Sequence, residues 1–303
     1  MCCWIHVLVL LLCSLPIGRG AEPIHLGIYE KAFASADPGD ITVTLNVLLD
    51  NAELDGKRPI ATRYRTKAQF VQALKDGDVD IAPLEMYQYF EINKEAPLIA
   101  ALGPVVEEGP AYKFVLLSNK QGGATAVLQA KSELTLLIED RWSDPYAEQW
   151  LSQYLYQTDR SSPHNFKKVT SVNKASQAVL PVFFKQADLC VITRGALTAM
   201  TELNPQLGKQ VHIIATSPPY VPFAICFRRS LNSATQARLI EQLANLHKTE
   251  NGRQILLLSK ATRLCKLTET DLESIRALAR FAEEQRNPLK PASALTQTLS
   301  DKE

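Results

Sequence analysis

Phe70-Val71-Gln72-Ala73-Leu74-Lys75-Asp76-Gly77-Asp78-Val79-Asp80-Ile81-Ala82-Pro83-Leu84-Glu85-Met86-Tyr87 has a counterpart later in the chain. The second copy is Val179-Leu180-Pro181-Val182-Phe183-Phe184-Lys185-Gln186-Ala187-Asp188-Leu189-Cys190-Val191-Ile192-Thr193-Arg194-Gly195-Ala196-Leu197. Each reads as helix, polar turn, Asp, short apolar strand, helix start. Asp80 and Asp188 each open a run too short and too apolar for anything but a buried strand, which in an α/β layer feeds a helix at its carboxyl end. Open α/β sheets bind ligands at such carboxyl ends, where helix N-termini point at the solute. Two copies predict two lobes that turn these ends towards each other across a cleft.

The rest of the chain alternates in the same way. Ile24 to Tyr29, Ile60 to Tyr64 and Val79 to Ala82 read as strands; Leu45, Leu48, Leu49 and Ala52 fall at helical spacing, and Lys67 to Asp76 is a further helix. Pro104 to Pro110 is turn-rich and precedes an apolar strand, Tyr112 to Leu117, which makes the first crossing between lobes. Leu134 to Ile138 (strand), Tyr146 to Tyr156 (helix), Val169 to Thr170 (strand), the second copy and Val211 to Ala215 (strand) build the second lobe. Ser217-Pro218-Pro219-Tyr220-Val221-Pro222 is a stiff connector back to the first lobe. Phe223 to Phe227, helices over Ser233 to His247 and Gly252 to Ser259, and an amphipathic helix carrying Leu272, Ile275, Leu278 and Ala282 follow. The expected organisation is a leader over 1–20, lobe one over 21–111 plus 221–286, lobe two over 112–220, and a disordered tail over 287–303.

Composition narrows the class. At 46% hydrophobic and 21% charged, 303 residues can bury one or two full cores. Ile5 to Leu15 is apolar and is followed by Pro16, Gly18 and Gly20, a pattern of signal-peptide type with cleavage before Ala21; a spanning helix needs roughly 20 apolar residues. Bulky Leu12 before Cys13 argues against lipidation. Cleavage removes Arg19 and no acid, so the formal charge falls from +1 to zero and no basic surface for nucleic acid is implied. It leaves Cys190, which reads as core, and Cys226 with Cys265, the one pair to test for a disulfide. The 5 histidines are scattered and no CxxC occurs, so neither a metal nor another cofactor is implied. Nor is there a nucleophile elbow or a phosphate-cradling loop, and an enzyme is not expected.

Ala73 to Ala82 with Tyr87, Ala187 to Val191, and Ile213 to Phe223 followed by Arg228-Arg229-Ser230-Leu231 and Gly252-Arg253 resemble the periplasmic substrate-binding proteins of the phosphate, phosphite and phosphonate type. The resemblance spans Ile24 to about Leu258. It implies the two-lobed type II binding-protein fold, mixed α/β with a ligand cleft between the lobes, and a monomer that delivers a small molecule to the permease of an ABC transporter. The family's loop after the first strand of lobe two offers hydroxyls to an oxyanion. Here the matching loop is Glu139-Asp140-Arg141-Trp142-Ser143-Asp144-Pro145-Tyr146. Asp144 before Pro145 suits a helix N-cap, its carboxylate competes with a bound anion, and only Ser143 remains of the hydroxyl set. The loop therefore argues against a simple phosphonate.

The cleft candidates follow from the strand ends. They are Tyr29, Glu30, Glu85 and Tyr87 from lobe one, Arg141, Trp142, Ser143, Thr193 and Arg194 from lobe two, and Tyr220 on the connector. Arg194 reads as an oxyanion anchor, as a solvated surface charge, or as one half of a salt bridge to Glu202 or another acid. Glu85 reads either as partner to a cationic ligand group or as a carboxylate favouring the helix dipole. Trp142 suits a ligand-covering wall or ordinary packing between lobes, whereas Tyr146, Trp150 and Tyr154 have the spacing of a core face. The leading function is capture of a small polar solute, anionic or zwitterionic, for a transporter. The alternative client is a membrane sensor, a histidine kinase or a cyclic-dinucleotide enzyme.

Overall fold

The structure, a computed structural model, describes residues 23–29, 59–105, 109–120, 128–139, 146–258 and 261–286. The expected leader, the helix around Leu45, the loop 140–145 and the expected tail lie outside the described residues. From the start of the described chain come β1 (His25–Tyr29), β2 (Ile60–Tyr64), α1 (Lys67–Asp76), β3 (Ile81–Glu85), α2 (Met86–Asn93) and β4 (Leu98–Val105). Next follow β5 (Phe114–Ser118), β6 (Thr135–Glu139), α3 (Tyr146–Asp159), β7 (Lys168–Val172), α4 (Ala175–Phe183), β8 (Leu189–Thr193), α5 (Arg194–Leu203), α6 (Pro205–Gln210) and β9 (His212–Thr216). The chain then returns through β10 (Phe223–Arg228), α7 (Ser233–Ala244), α8 (Glu250–Leu258), β11 (Arg263–Lys266) and α9 (Glu269–Arg286).

These strands form two sheets. One is six-stranded in the order β11-β4-β10-β3-β1-β2, the other five-stranded in the order β7-β6-β8-β5-β9. Each is mixed: β1 runs parallel to β2 and β3, and β6 parallel to β7 and β8, while the strands that enter or leave a crossing, β10 and β5, are antiparallel to their neighbours. Burial follows the period of two. Phe114 and Leu116 of β5 face one apolar cluster and Val115 and Leu117 the other, all nearly inaccessible, as expected for a strand covered on both faces. The first cluster runs from Phe70, Leu84 and Met86 through Tyr220 and Val221 to Leu136 and Trp150, so one apolar core continues through the crossing from sheet to sheet.

The repeated Asp proves to be a clamp. Asp80 accepts from the backbone N–H of His25, the first residue of the neighbouring β1, at 3.0 Å, and from Arg228 Nη2 of β10 at 2.8 Å. Asp188 does the same in the other sheet: it accepts from Thr135 N–H, at the first residue of β6, and from Thr135 Oγ1, both at 2.9 Å, with Lys120 Nζ at 3.4 Å. Both carboxylates sit at the amino ends of the strands, the ends away from the expected ligand site. Before the first clamp the chain has to turn sharply, and Gly77 closes α1 in the left-handed region at φ 87°, where a Cβ is disfavoured. A second glycine, Gly27, lies so close to Val79 and Phe70 that an added Cβ would meet Val79 Cγ1 at 2.6 Å. Only hydrogen lets α1 and its turn pack on β1.

Three sequence expectations need correction. The strand placed at Val79 to Ala82 begins after Asp80 and runs to Glu85, because Asp80 is spent on the clamp and Pro83 is carried inside the strand. Its ladder to β1 registers at Leu26↔Ile81 alone, consistent with proline's missing N–H. The strands β4 and β11 were not expected: Leu98–Val105 contains Gly103 and Pro104, and Arg263–Lys266 is too short to show a period. Finally, Cys226 and Cys265 are free thiols. They lie on β10 and β11 with β4 between them, and two inter-strand spacings of about 4.8 Å exceed disulfide reach.

Breaking the buried Asp80–Arg228 pair with Asp80→Ala should cost about 3 to 5 kcal/mol, and Asp188→Ala, more exposed, about 1 to 3 kcal/mol, read from urea midpoints. The pH dependence at Asp188 has a definite sign. Burial raises its pKa, but the Thr135 hydrogen bonds and Lys120 outweigh burial and hold it below the ordinary value. Its stabilisation is therefore complete above the unfolded pKa and lost as pH falls through the folded one. The gap between wild type and Asp188→Ala should narrow below about pH 4.

Candidate functional site

Five residues after each clamp, at the carboxyl end of the same strand, stands the N-cap of the following helix. In the first copy it is Glu85, before α2; in the second, Thr193, before α5. Both are buried, with 4% and 1% of their surface exposed. Each strand end pairs with a crossing strand, Glu85 opposite Phe223 and Thr193 opposite Phe114. Each helix also hands its first N–H to a crossing chain: Met86 N donates to Pro222 O at 2.9 Å and Arg194 N to Lys113 O at 2.7 Å. The two copies thus meet the hinge in the same manner.

The hinge itself is narrow. Tyr112 and Tyr220 form an isolated antiparallel bridge with both N–H to O distances at 2.8 Å. Ser217 reinforces it, accepting from Phe114 N–H at 2.8 Å and donating its own N–H to Phe114 O at 2.9 Å, while its hydroxyl donates to Pro218 O at 2.6 Å. Proline at 218, 219 and 222 fixes φ through the connector, so few torsions are left to move.

The caps differ in charge although their positions correspond. Glu85 places a carboxylate at the start of α2, where Gln88 Oε1 also accepts from Glu85 N–H at 3.3 Å. Thr193 places a neutral hydroxyl at the start of α5, accepting from Ala196 N–H at 3.3 Å, and is followed by Arg194. The Arg194 guanidinium is exposed and has no partner among the described residues, so the pairing with Glu202 does not form. One helix start carries an acid and the other a base.

The remaining candidates divide. Tyr87, in the first turn of α2, lies partly buried under Arg286 of α9, whose guanidinium is over its ring at 5.1 Å and donates to its hydroxyl. Tyr29 is a packing residue: its ring stacks on Phe70 at 5.5 Å and only 5% of it is exposed. Burial raises its phenol pKa, Glu91 adding to the shift and Lys67 opposing it. Tyr220 is buried in the bridge, its ring 6.2 Å from that of Phe114. Glu30, Arg141, Trp142 and Ser143 lie outside the described residues. Among the described residues no group of His, Cys, Asp and Glu is arranged to hold a metal ion, and no helix is long and apolar enough to cross a membrane.

Two residues were not foreseen. Glu139, at the end of β6, is a buried carboxylate, 3% exposed, in the position equivalent to the other strand ends. Tyr146 was read as core, and its ring is buried, but its hydroxyl leaves lobe two: it accepts from Tyr87 N–H of α2 at 3.2 Å and faces Pro222 O at 3.5 Å. The available signal was that a buried tyrosine, unlike a phenylalanine, needs a partner for its hydroxyl.

Two sheets joined by two crossing strands, with strand ends and helix starts facing the crossing from both sides, define the two-lobed fold of periplasmic binding proteins. Residues 34–272 match the family model described as "ABC transporter, phosphonate, periplasmic substrate-binding protein", and the chain belongs to that family. Solved structures share the fold. The binding protein component of an ABC phosphonate transporter from Pseudomonas aeruginosa is 18% identical, with 92% of this chain and 93% of that one covered and a TM-score of 0.53. PhnD1 from Prochlorococcus marinus, solved with methylphosphonate, is 13% identical over 86% and 98%, TM-score 0.55. A Xanthomonas citri protein solved with ATP is 12% identical over 88% and 99%, TM-score 0.57. No curated protein sequence matches this chain.

Tyr146→Phe tests the contact between lobes. Losing the hydroxyl leaves Tyr87 N–H without that acceptor, and the variant should be less stable by about 1 to 2 kcal/mol while keeping its circular dichroism spectrum. Its ligand-free radius of gyration in small-angle scattering should rise. An unchanged radius would show that the Tyr146 contact does not hold the lobes together.

Proposed function

We propose that this periplasmic binding protein, exported with cleavage before Ala21, captures a small polar solute bearing an oxyanion, anionic or zwitterionic, by closing its lobes. The solute is then delivered to the permease of an ABC transporter, and no covalent step is involved. The observation that carries this reading is the charge asymmetry of the two equivalent helix starts. Arg194 beside the neutral Thr193 cap offers a guanidinium fork and a positive helix end to a carboxylate, phosphonate or sulfonate. Glu85 at the other start disfavours a second anionic group and suits an ammonium. A zwitterion laid between them satisfies both.

Tyr87, Tyr220, Arg141, Trp142, Ser143 and Glu30 complete the proposed site, with Trp142 in the role of a covering wall and Tyr29 as packing support. Family membership favours a transporter as client, and no residue described above speaks for a membrane sensor. The protein acts as a monomer in this reading, since lobe closure needs no second copy.

A thermal-shift panel of alkylphosphonates, alkylsulfonates, carboxylates and their amino derivatives tests the solute class. A true ligand at about 100 times its dissociation constant adds roughly 2.7 kcal/mol of stability and raises the melting temperature. For such a ligand Arg194→Ala should lose about 2 to 4 kcal/mol of binding by calorimetry. Its own stability should change by less than about 0.5 kcal/mol, because the side chain is exposed. Unchanged affinity would return Arg194 to the solvated surface.

A further inference from the structure

Tyr220 is among the largest fully buried side chains of the described residues, with 2% of its surface exposed. Its ring packs in the apolar core against Phe114, and Phe114 in turn stacks on Trp150, 6.2 Å between centroids. The backbone groups of Tyr220 are both engaged in the bridge to Tyr112. The hydroxyl has no hydrogen-bond partner among the described residues. A buried, unpaired polar atom is unfavourable, and native structures retain few of them without a reason.

Position supplies the reason. Tyr220 lies three residues before Phe223, which is opposite Glu85, and is bridged to Tyr112, two residues before Phe114, which is opposite Thr193. Tyr220 therefore belongs to the stretch that joins the two helix starts, where the chain crosses from one sheet to the other. Burial also pushes its pKa upwards, so it keeps its proton and remains a donor.

We infer that the Tyr220 hydroxyl, which no described residue pairs, is a specificity-determining donor to the solute, satisfied by a ligand oxygen when the lobes close. This rests on the solute-binding reading above and adds to it the hinge-side contact. It makes the hinge tyrosine a trade between stability and affinity.

Tyr220→Phe separates the possibilities, since it deletes one oxygen and keeps the packing. The ligand-free variant should melt at the wild-type temperature or above it, and its affinity for whichever panel member stabilises wild type should fall about 10- to 100-fold, the range for a hydrogen bond to a charged acceptor. Equal affinities of wild type and variant would overturn the inference and leave the binding reading intact. A clearly lower melting temperature of the ligand-free variant would overturn it too, because the hydroxyl would then have a partner inside the folded protein. Wild type that takes up no member of the panel would overturn the solute-binding reading, and the inference with it.

Discussion

A carboxylate at the amino end of one parallel strand, bonded to the backbone N–H that opens its neighbour, is the constraint on which both sheets depend. Parallel strands lack the hairpin turns that set register locally, and a one-residue slip would turn each apolar face outward. Asp80 on His25 and Asp188 on Thr135 remove that freedom, each with a cation, Arg228 or Lys120, beside the carboxylate. A five-residue strand rises about 3.3 Å per residue, so the cap at its far end stands some 17 Å from the clamp. Register is secured at one end, and the helix caps stand at the other. Glu85 and Thr193 can therefore differ in charge without disturbing the fold that positions them.

The same logic explains how two separate sheets behave as one molecule. Each crossing chain adds an antiparallel strand to a sheet and also takes the first N–H of the helix opposite, Met86 onto Pro222 and Arg194 onto Lys113. Any rotation about the Tyr112–Tyr220 bridge is thereby transmitted to both helix starts. Away from the hinge α9 adds a second tie. Its apolar Leu272, Ile275 and Leu278 pack with the core, while its last turns touch both lobes: Glu283 pairs with Lys94 at 3.1 Å, Phe281 lies 5.7 Å from Tyr156 of α3, and Arg286 covers Tyr87. Exposed pairs of this kind contribute little to stability.

Much of this was legible in the sequence, for identifiable reasons. The helix over Lys67–Asp76 matches its expected bounds, with Thr66 as N-cap and Gly77 as left-handed C-cap at its ends, and the central short strands stand out because they are buried on both faces. The repeat announced two lobes. What stayed hidden depends on contacts distant in sequence: β4 reads as an Ala-, Gly- and Pro-containing stretch and becomes a strand only between β10 and β11, and Tyr146 has the spacing of a core residue while its hydroxyl serves the other lobe. At the candidate site the helix starts at Glu85 and Thr193 could be placed from the repeat. The stacking of Tyr29 on Phe70 joins residues distant in sequence, and no local pattern announces it. Cys226 and Cys265 formed a plausible pair only while the strand between them was unknown.

The polar residues of the two sheets and the crossing can be sorted by asking where their hydrogen bonds go. Asp80, Asp188 and Ser217 spend their capacity on backbone groups of neighbouring strands, and Ser118 accepts from Lys120 N–H at 3.0 Å. Such groups are committed to architecture, and a solute could recruit them only by breaking the register they secure. Arg194 and the hydroxyl of Tyr220 have no such commitment among the described residues. They stand in opposite environments, one in solvent and one in an apolar core; in the proposed reading the guanidinium would meet the solute while it is still hydrated, and the phenol would supply its contact only after water has been excluded. A protein that ordered them the other way round would have to desolvate its solute before attracting it, and capture would be slower for the same final affinity.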